Sequence, residues 1–273
     1  MGPMFESRPV DPPSYRGFVA SFDEGPALAA LKDFPGLLAS PSAETLHDGR
    51  NKIVAVRLPG GREAVIKIFG ARGLAKLKTL VVPSKGFRAW SGAVALSEKG
   101  FGTATPIAAF ERRSHGLAVE SVFIAGRVRG GREIREWFRE SPEPALRELL
   151  AALAPVLAGL HQAGIVHRDL SDGNILVLEK KQARFEFLFL DTNRVRRRRS
   201  VGLFGRARNL VRLGVPPPLR PFFLDEYVAA AGPSIPRKRL GFYYRSAKKS
   251  FELWLAVKKS LRLRKAARKL GLQ

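Results

Sequence analysis

A chain of 273 residues, 45% of them hydrophobic, is long enough to bury a sizeable core as one large domain or two lobes, which excludes disorder throughout. It has no cysteine, so disulfides and thiolate metal sites are excluded, and its four histidines lack metal-ligand spacing. The net charge of +24 is uneven: residues 194–273 hold 22 of the 48 Lys and Arg but only three of the 24 acidic residues, and favour an anionic partner such as a lipid surface, a nucleic acid or a phosphorylated glycan.

The N-terminal "MGPMFESRPVDPPSYRG" has no basic start followed by an apolar run, and Gly2 lacks the Ser or Thr at residue 6 of a myristoylation signal, so neither signal is expected. Residues 1–45, rich in Pro, Ser and Gly, read as a loosely structured leader with one short helix near residues 26–32. "KIVAVRL" and "EAVIKIF" are apolar, β-branched runs joined by "PGGR", a hairpin with glycine in its turn. "GFRAWSGAVALSEKG" reads as a helix ending at Gly100, and "ATPIAAFE" and "LAVESVFI" as two further strands.

Beyond the glycine-rich "AGRVRGGRE", residues 143–163 place Leu146, Leu149, Leu150, Leu153, Val156, Leu157 and Leu160 at helical spacing, with Pro155 expected to kink or divide the helix. "NILVLE" and "FEFLFLD" form a second hairpin across "KKQAR", and basic helices follow. No run reaches the length of an uncharged membrane span. The expected organisation is a leader (1–45), a small sheet lobe (46–125), a mainly helical lobe (126–235) and a basic amphipathic tail (236–273), in an α+β, two-lobed arrangement.

The polar stretch "GIVHRDLSDGNILV" lies between the long helix and the second hairpin. A loop in that place presents side chains that neither element buries, and its spacing is that of a kinase catalytic loop, H-R-D followed by four residues and Asn. In such a loop the aspartate accepts the proton of an attacking hydroxyl and the asparagine oxygen helps to hold a metal ion on nucleotide phosphates, roles that fit Asp169 and Asn174. Asp191, where the hairpin's second strand returns, supplies a second metal-binding carboxylate, and Lys67 within "AVIKIF" stands where a strand lysine reaches the α and β phosphates. Taken singly, His167 reads as a structural histidine, Lys67 as a snorkelling strand lysine and "LDTNR" as a turn. The joint order reverses that balance.

With these residues the sequence resembles the lipopolysaccharide core kinases of Gram-negative bacteria, which phosphorylate heptose or Kdo sugars and branch from the protein-kinase-like fold. The resemblance runs through "VIKIF", "FRAWSGAVALSEKGFGTATPIAAFE", "LHQAGIVHRDLSDGNILV" and "FLDTNRVR", the last in place of D-F-G. It implies ATP and Mg²⁺ as cofactors, a core glycolipid as acceptor, and a location in the cytoplasm or at the inner face of the inner membrane. It also implies adenine against backbone near residues 120–124, with Glu120 at the start, and a phosphate-covering loop near "ETLHDGRNKI", where Gly49 is the single glycine. No acidic residue lies between Glu63 and Glu98, so the usual helix partner of the strand lysine is missing and Glu98 sits near the helix end.

Two basic segments remain. "RVRRRRS" reads either as a solvated loop or as a docking surface for an acceptor already carrying phosphates or sugar acids. The tail puts Leu240, Tyr243, Tyr244, Ala247, Phe251, Trp254 and Leu255 on one helical face, which either packs on the helical lobe or lies at an anionic membrane surface. No nucleic-acid reading module is present. A kinase with a protein or small-molecule acceptor, and a non-catalytic binder on a kinase scaffold, stand as alternatives.

Overall fold

The structure is a computed structural model that describes residues 7–10, 15–20, 24–49, 51–71, 73–180 and 185–269. The chain forms two units: residues up to 134 with 167–169 and 173–197, and residues 135–166, 170–172 and 198 onwards.

The first unit contains β1 (Ser7–Val10), β2 (Arg16–Ala20), α1 (Glu24–Lys32), α2 (Phe34–Ala39), β3 (Glu44–Asp48), β4 (Lys52–Arg57), β5 (Glu63–Gly70), α3 (Leu74–Leu77), α4 (Lys85–Ser97), β6 (Pro106–Ser114), β7 (Leu117–Gly126) and β8 (Arg132–Glu133). Seven strands form one antiparallel sheet in the order β1-β2-β6-β7-β5-β4-β3. The β4–β5 turn passes through Gly60 and Gly61 at φ +89° and +87°, a conformation that glycine adopts without steric cost. One face buries Val54, Val56, Ile66 and Phe110 against Ala27 and Ala30 of α1 and Phe34 of α2. The other packs Phe69, Ala109 and Phe123 against Ala89, Trp90 and Ala93 of α4. Because side chains alternate along a strand, Ile66 and Phe69 on opposite faces put Lys67 on the α4 side.

Within the segment 1–45 expected as a leader, the described residues 15–20 and 24–45 carry β2, α1, α2 and the start of β3. β2 pairs with β6 from Arg16↔Glu111 to Val19↔Ala108, and Val19 is fully buried. The pairing joins segments about ninety residues apart, which composition alone does not reveal. The unit continues past a three-residue strand, β9 (Ile165–His167), to β10 (Ile175–Glu179), β11 (Phe185–Phe189) and β12 (Val195–Arg197), with β10 pairing antiparallel to β8 and β11. Residues 181–184, most of the expected turn, lie outside the described residues.

The second unit is helical: α5 (Ile134–Glu140), α6 (Glu143–Gln162), α7 (Leu203–Leu210), α8 (Arg220–Ala231) and α9 (Arg237–Lys269). The α6 stripe Leu149, Leu150, Leu153, Leu157 and Leu160 is fully buried, and each leucine contributes about 1.5–3 kcal/mol relative to exposure. α6 is one 20-residue helix through Pro155, so of the expected kink or division the division does not occur. Pro155 faces solvent, and the buried leucines on either side of it hold both halves in place. The start of α9 also belongs to this unit, since Leu240, Tyr244 and Ala247 are buried while Leu253, Trp254, Leu255 and Val257 are exposed. No described helix is long and apolar enough to cross a membrane.

Candidate active site

The β10–β11 hairpin sets the site. Its register, Ile175↔Phe189, leaves Asn174 and Leu190 facing each other just beyond the paired strands, and Leu190 N donates to Asn174 O at 2.9 Å. Buried Ile175, Val177, Phe187 and Phe189 fix that register, because a one-residue slip would turn each of them to the other face. Phe189 N also donates to Gly102 O at 2.9 Å, and Thr103 Oγ1 donates to Phe189 O at 2.9 Å.

His167 bridges loop and hairpin. Its Nε2 lies 2.7 Å from Leu190 O, so the ring proton sits on Nε2, and Nδ1 accepts from Asp169 N at 3.3 Å. A neutral imidazole meets both demands. Burial, the dominant cause, holds its pKa below the ordinary histidine value. Asn174 Nδ2 donates to Asp169 O at 2.7 Å, tying the two ends of the loop together.

Asp191 has a positive φ of 50°, an arrangement costing roughly 1–3 kcal/mol in a non-glycine residue and kept only where the surroundings over-determine it. Here they do. Asn193 Nδ2 donates to Asp191 Oδ1 at 2.9 Å and Arg194 N to Asp191 O at 3.0 Å. Thr192 Oγ1 donates to Ala89 O of α4 at 2.8 Å, and a Cβ added to Gly92 would stand 2.0 Å from Thr192 O. Thr192 and Asn193 entered the sequence reading only as part of the "LDTNR" turn, without these partners.

Lys67 Nζ lies 3.9 Å from Asp191 Oδ1, with both side chains largely covered. Burial lowers the lysine pKa and the nearby carboxylate opposes that shift. Glu98 caps α4 and pairs with Arg197, so it is not the partner of Lys67. Thus Lys67, Asp169, Asn174 and Asp191 all fall in the first unit, joined in pairs by the Lys67–Asp191 and Asn174–Asp169 contacts.

The remaining two expected residues are Gly49 and Glu120. Gly49 stands at the tip of the β3–β4 hairpin, its N donating to Asn51 O at 3.4 Å, four residues from Ile53, the β4 partner of Lys67. Glu120 lies inside β7 opposite Gly70, where its carboxylate accepts from Tyr15 OH at 3.1 Å and pairs with Arg112 at 4.0 Å. Residues 120–124 are paired with β5 on one side and β6 on the other. Their main-chain groups are committed to the sheet, since an interior strand offers no row of open donors and acceptors.

The donor set suits a hard cation. Asn174 and Asp191 offer oxygen ligands, and no cluster of three His, Asp or Glu occurs among the described residues. Mg²⁺ is commonly held by one or two protein oxygens with substrate phosphates completing the shell, rather than by an all-protein cage.

A loop tied to a hairpin beside a lysine-bearing antiparallel sheet, with α4 on the lysine's face, is a kinase-like fold, and the chain is an ATP-dependent kinase. The family model described as lipopolysaccharide kinase (Kdo/WaaP) matches residues 79–215, half of the chain, and the chain belongs to that family. Among solved structures it is similar to WaaP in complex with acyl carrier protein, at 20% identity and a TM-score of 0.56, covering 79% of this chain and 91% of that one. The Rio2 kinase from Chaetomium thermophilum, in an ADP/Mg²⁺-phosphoaspartate complex, gives 16% identity and a TM-score of 0.47 over 89% of this chain and 80% of that one. At these identities the likeness is one of fold. A comparison with curated proteins gives no match.

Proposed function

We propose that this kinase transfers the γ-phosphate of ATP to a heptose or Kdo hydroxyl of the lipopolysaccharide core, with Asp169 as general base. The observation that carries this reading is the pairing of Lys67 with Asp191 in the same unit where Asn174 is bonded to Asp169. Asn174 and Asp191 would hold Mg²⁺, which supplies charge neutralisation on the phosphate oxygens. Lys67 orients the phosphates, and its covered position strengthens that attraction relative to open water. The Asp169 carboxylate takes the proton of the acceptor hydroxyl as the hydroxyl oxygen bonds to the γ-phosphorus, and the bond from that phosphorus to the β,γ-bridging oxygen breaks, releasing ADP. The His167 bond to Leu190 O keeps the loop against the hairpin, which fixes the base relative to the metal oxygens. The Gly49 hairpin tip would cover the phosphates, and the purine would contact backbone beyond β7 rather than residues 120–124.

The exposed Leu253, Trp254, Leu255 and Val257 sit on a helix that also carries Lys248, Lys249, Lys258 and Lys259. That combination supports peripheral attachment to an anionic inner-membrane surface, where a lipid-linked acceptor resides. The test is incubation of purified protein with labelled ATP, Mg²⁺ and separate core glycolipid, protein and nucleic-acid acceptors. Label in the glycolipid alone is expected; label only in protein would overturn the acceptor assignment.

A further inference from the structure

Between β5 and α4 the first unit turns apolar side chains to water. Leu77 ends α3, a 3₁₀ turn covers Lys78–Leu80, and Leu77, Leu80, Val81 and Val82 are all exposed, Leu80 to 63% and Val81 to 84%. Pro83 is exposed too, so the consecutive apolar residues 80–83 all face solvent. Single exposed leucines are ordinary on a protein surface, whereas an unbroken apolar run of this length marks a contact surface.

The run is held in place. Ala71 N donates to Val119 O at 3.1 Å, and Thr79 Oγ1 accepts from Ala118 N at 3.0 Å while donating to Lys76 O at 2.5 Å. These bonds seat the turn on the start of β7, with Thr79 towards the sheet and the leucines and valines away from it. The backbone is also paired from within: Lys76 N donates to Gly73 O at 2.9 Å, and Val81 N and Val82 N donate to Lys78 O at 3.3 and 2.9 Å, while Pro83 has no N–H. An apolar phase admits a segment only when its peptide groups are satisfied internally, and this turn meets much of that demand before any partner arrives.

Charge decides what the run meets. Lys76 and Lys78 flank Leu77, and no acidic residue lies between Glu63 and Glu98 to oppose them. The carboxylates of the neighbouring strands are engaged elsewhere: Glu111 accepts from Arg16 and Arg113, and Glu120 from Tyr15 OH with Arg112 4.0 Å away. A protruding apolar apex with lysines just behind it suits an anionic bilayer, where the apex enters the acyl boundary and the lysine stems carry their charges back to the lipid phosphates.

We propose that residues 77–83 are an interfacial anchor of the first unit, dipping Leu77, Leu80, Val81 and Val82 into an anionic membrane with Lys76 and Lys78 at its phosphates. This contact is separate from the α9 face, which belongs to the other unit, and it rests on that reading only for the presence of a membrane. One short apolar anchor holds a protein marginally and stable attachment takes two signals, so the turn adds to α9 and does not replace it. Because the anchor lies between the Lys67 strand and α4, it ties the nucleotide-binding unit itself to the surface that carries a lipid-linked acceptor.

The chain has no cysteine, so one introduced thiol carries a probe at a single position. Full-length Val81→Cys, with Leu46→Cys on β3 as an exposed control in the same unit, would carry an environment-sensitive fluorophore and be mixed with vesicles of phosphatidylcholine alone or with phosphatidylglycerol. The probe at position 81 is expected to shift to the blue and to be quenched by acyl-brominated lipid with the anionic vesicles only; the probe at position 46 should do neither. In unlabelled protein, Lys76→Gln with Lys78→Gln should weaken binding to anionic vesicles about 5-fold per lysine. Leu80→Ser with Val81→Ser should weaken it too without lowering the melting temperature, since both side chains are exposed. A probe at position 81 that stays in water while the protein is vesicle-bound would overturn the anchor and leave the α9 reading standing; no vesicle binding by wild type would overturn both. A blue shift that grows with protein concentration in the absence of vesicles would overturn the lipid assignment in favour of a second copy of the chain.

Discussion

Acidification should destabilise the helical unit through His161, a residue outside the active site. This histidine is fully buried between Tyr227, whose hydroxyl is 2.8 Å from Nδ1, and Asn209, whose Oδ1 is 2.9 Å from Nε2. Arg206 Nη1 donates to the same Tyr227 oxygen at 3.0 Å. The ring proton therefore sits on Nε2, and Nδ1 accepts from the Tyr227 hydroxyl. A second proton, on Nδ1, would face an oxygen already engaged by a cation. Burial first, and Arg206 with it, lowers the pKa from 6.5 to about 4, with the Asn209 bond opposing. The folded state thus binds this proton less tightly than the unfolded chain. Its contribution is fully present above about pH 6.5, declines as pH falls towards about 4, and is flat below. At ~1.4 kcal/mol per pH unit the whole change is ~3 kcal/mol, a large share of the ~5–15 kcal/mol stability of a domain. Urea unfolding of wild type and His161→Gln across this range isolates the effect, because glutamine does not titrate and other groups cancel. The stability gap between the two proteins should change by up to ~3 kcal/mol in favour of the variant as pH falls. A gap independent of pH, or an NMR titration of the His161 ring with an ordinary histidine midpoint, would refute the reasoning.

Asp169→Asn should lower kcat by ~10²- to 10⁴-fold in the labelled-ATP assay while ATP affinity by calorimetry stays near wild type. Asp191→Ala should abolish the Mg²⁺ dependence of ATP binding, which calorimetry with and without the metal would show. Gly92→Ala places its Cβ against the Thr192 carbonyl oxygen; a loss of ~1–3 kcal/mol on urea unfolding and a raised KM for Mg-ATP are expected. Replacing Leu253, Trp254, Leu255 and Val257 by serine should abolish salt-sensitive binding to anionic vesicles with little change in melting temperature. Deleting residues 236–273 should unfold or precipitate the protein, because it removes buried Leu240, Tyr244 and Ala247.

Legibility in the sequence followed the range of the interactions. Asp169, Asn174 and Asp191 could be read because one loop and one hairpin carry them, with local spacing and strand pattern implying the arrangement. Lys67 was visible for the same reason, as a charged residue within an apolar strand. β2 was not, since its pairing with β6 depends on a distant partner and its Pro- and Ser-rich surroundings suggested a loose segment. That β7 is interior was not legible either, because an apolar run does not reveal a backbone paired on both sides. Pro155 is a strong local signal that tertiary packing overrode. The tail reading was divided, and the structure divides it along the helix: the first turns of α9 are buried and the later apolar residues are exposed.

The seat of Gly92 on Thr192 has a mechanical side. In place of an ionic latch between the helix and Lys67, α4 is joined to the Asp191 turn by backbone contact and by the Thr192 bond to Ala89. Such a joint has little play, because packed backbone tolerates far less displacement than a pair of long charged side chains. A force that tilts α4 is therefore transmitted to the Asp191 carboxylate, and the helix works as a lever whose short arm ends on that side chain.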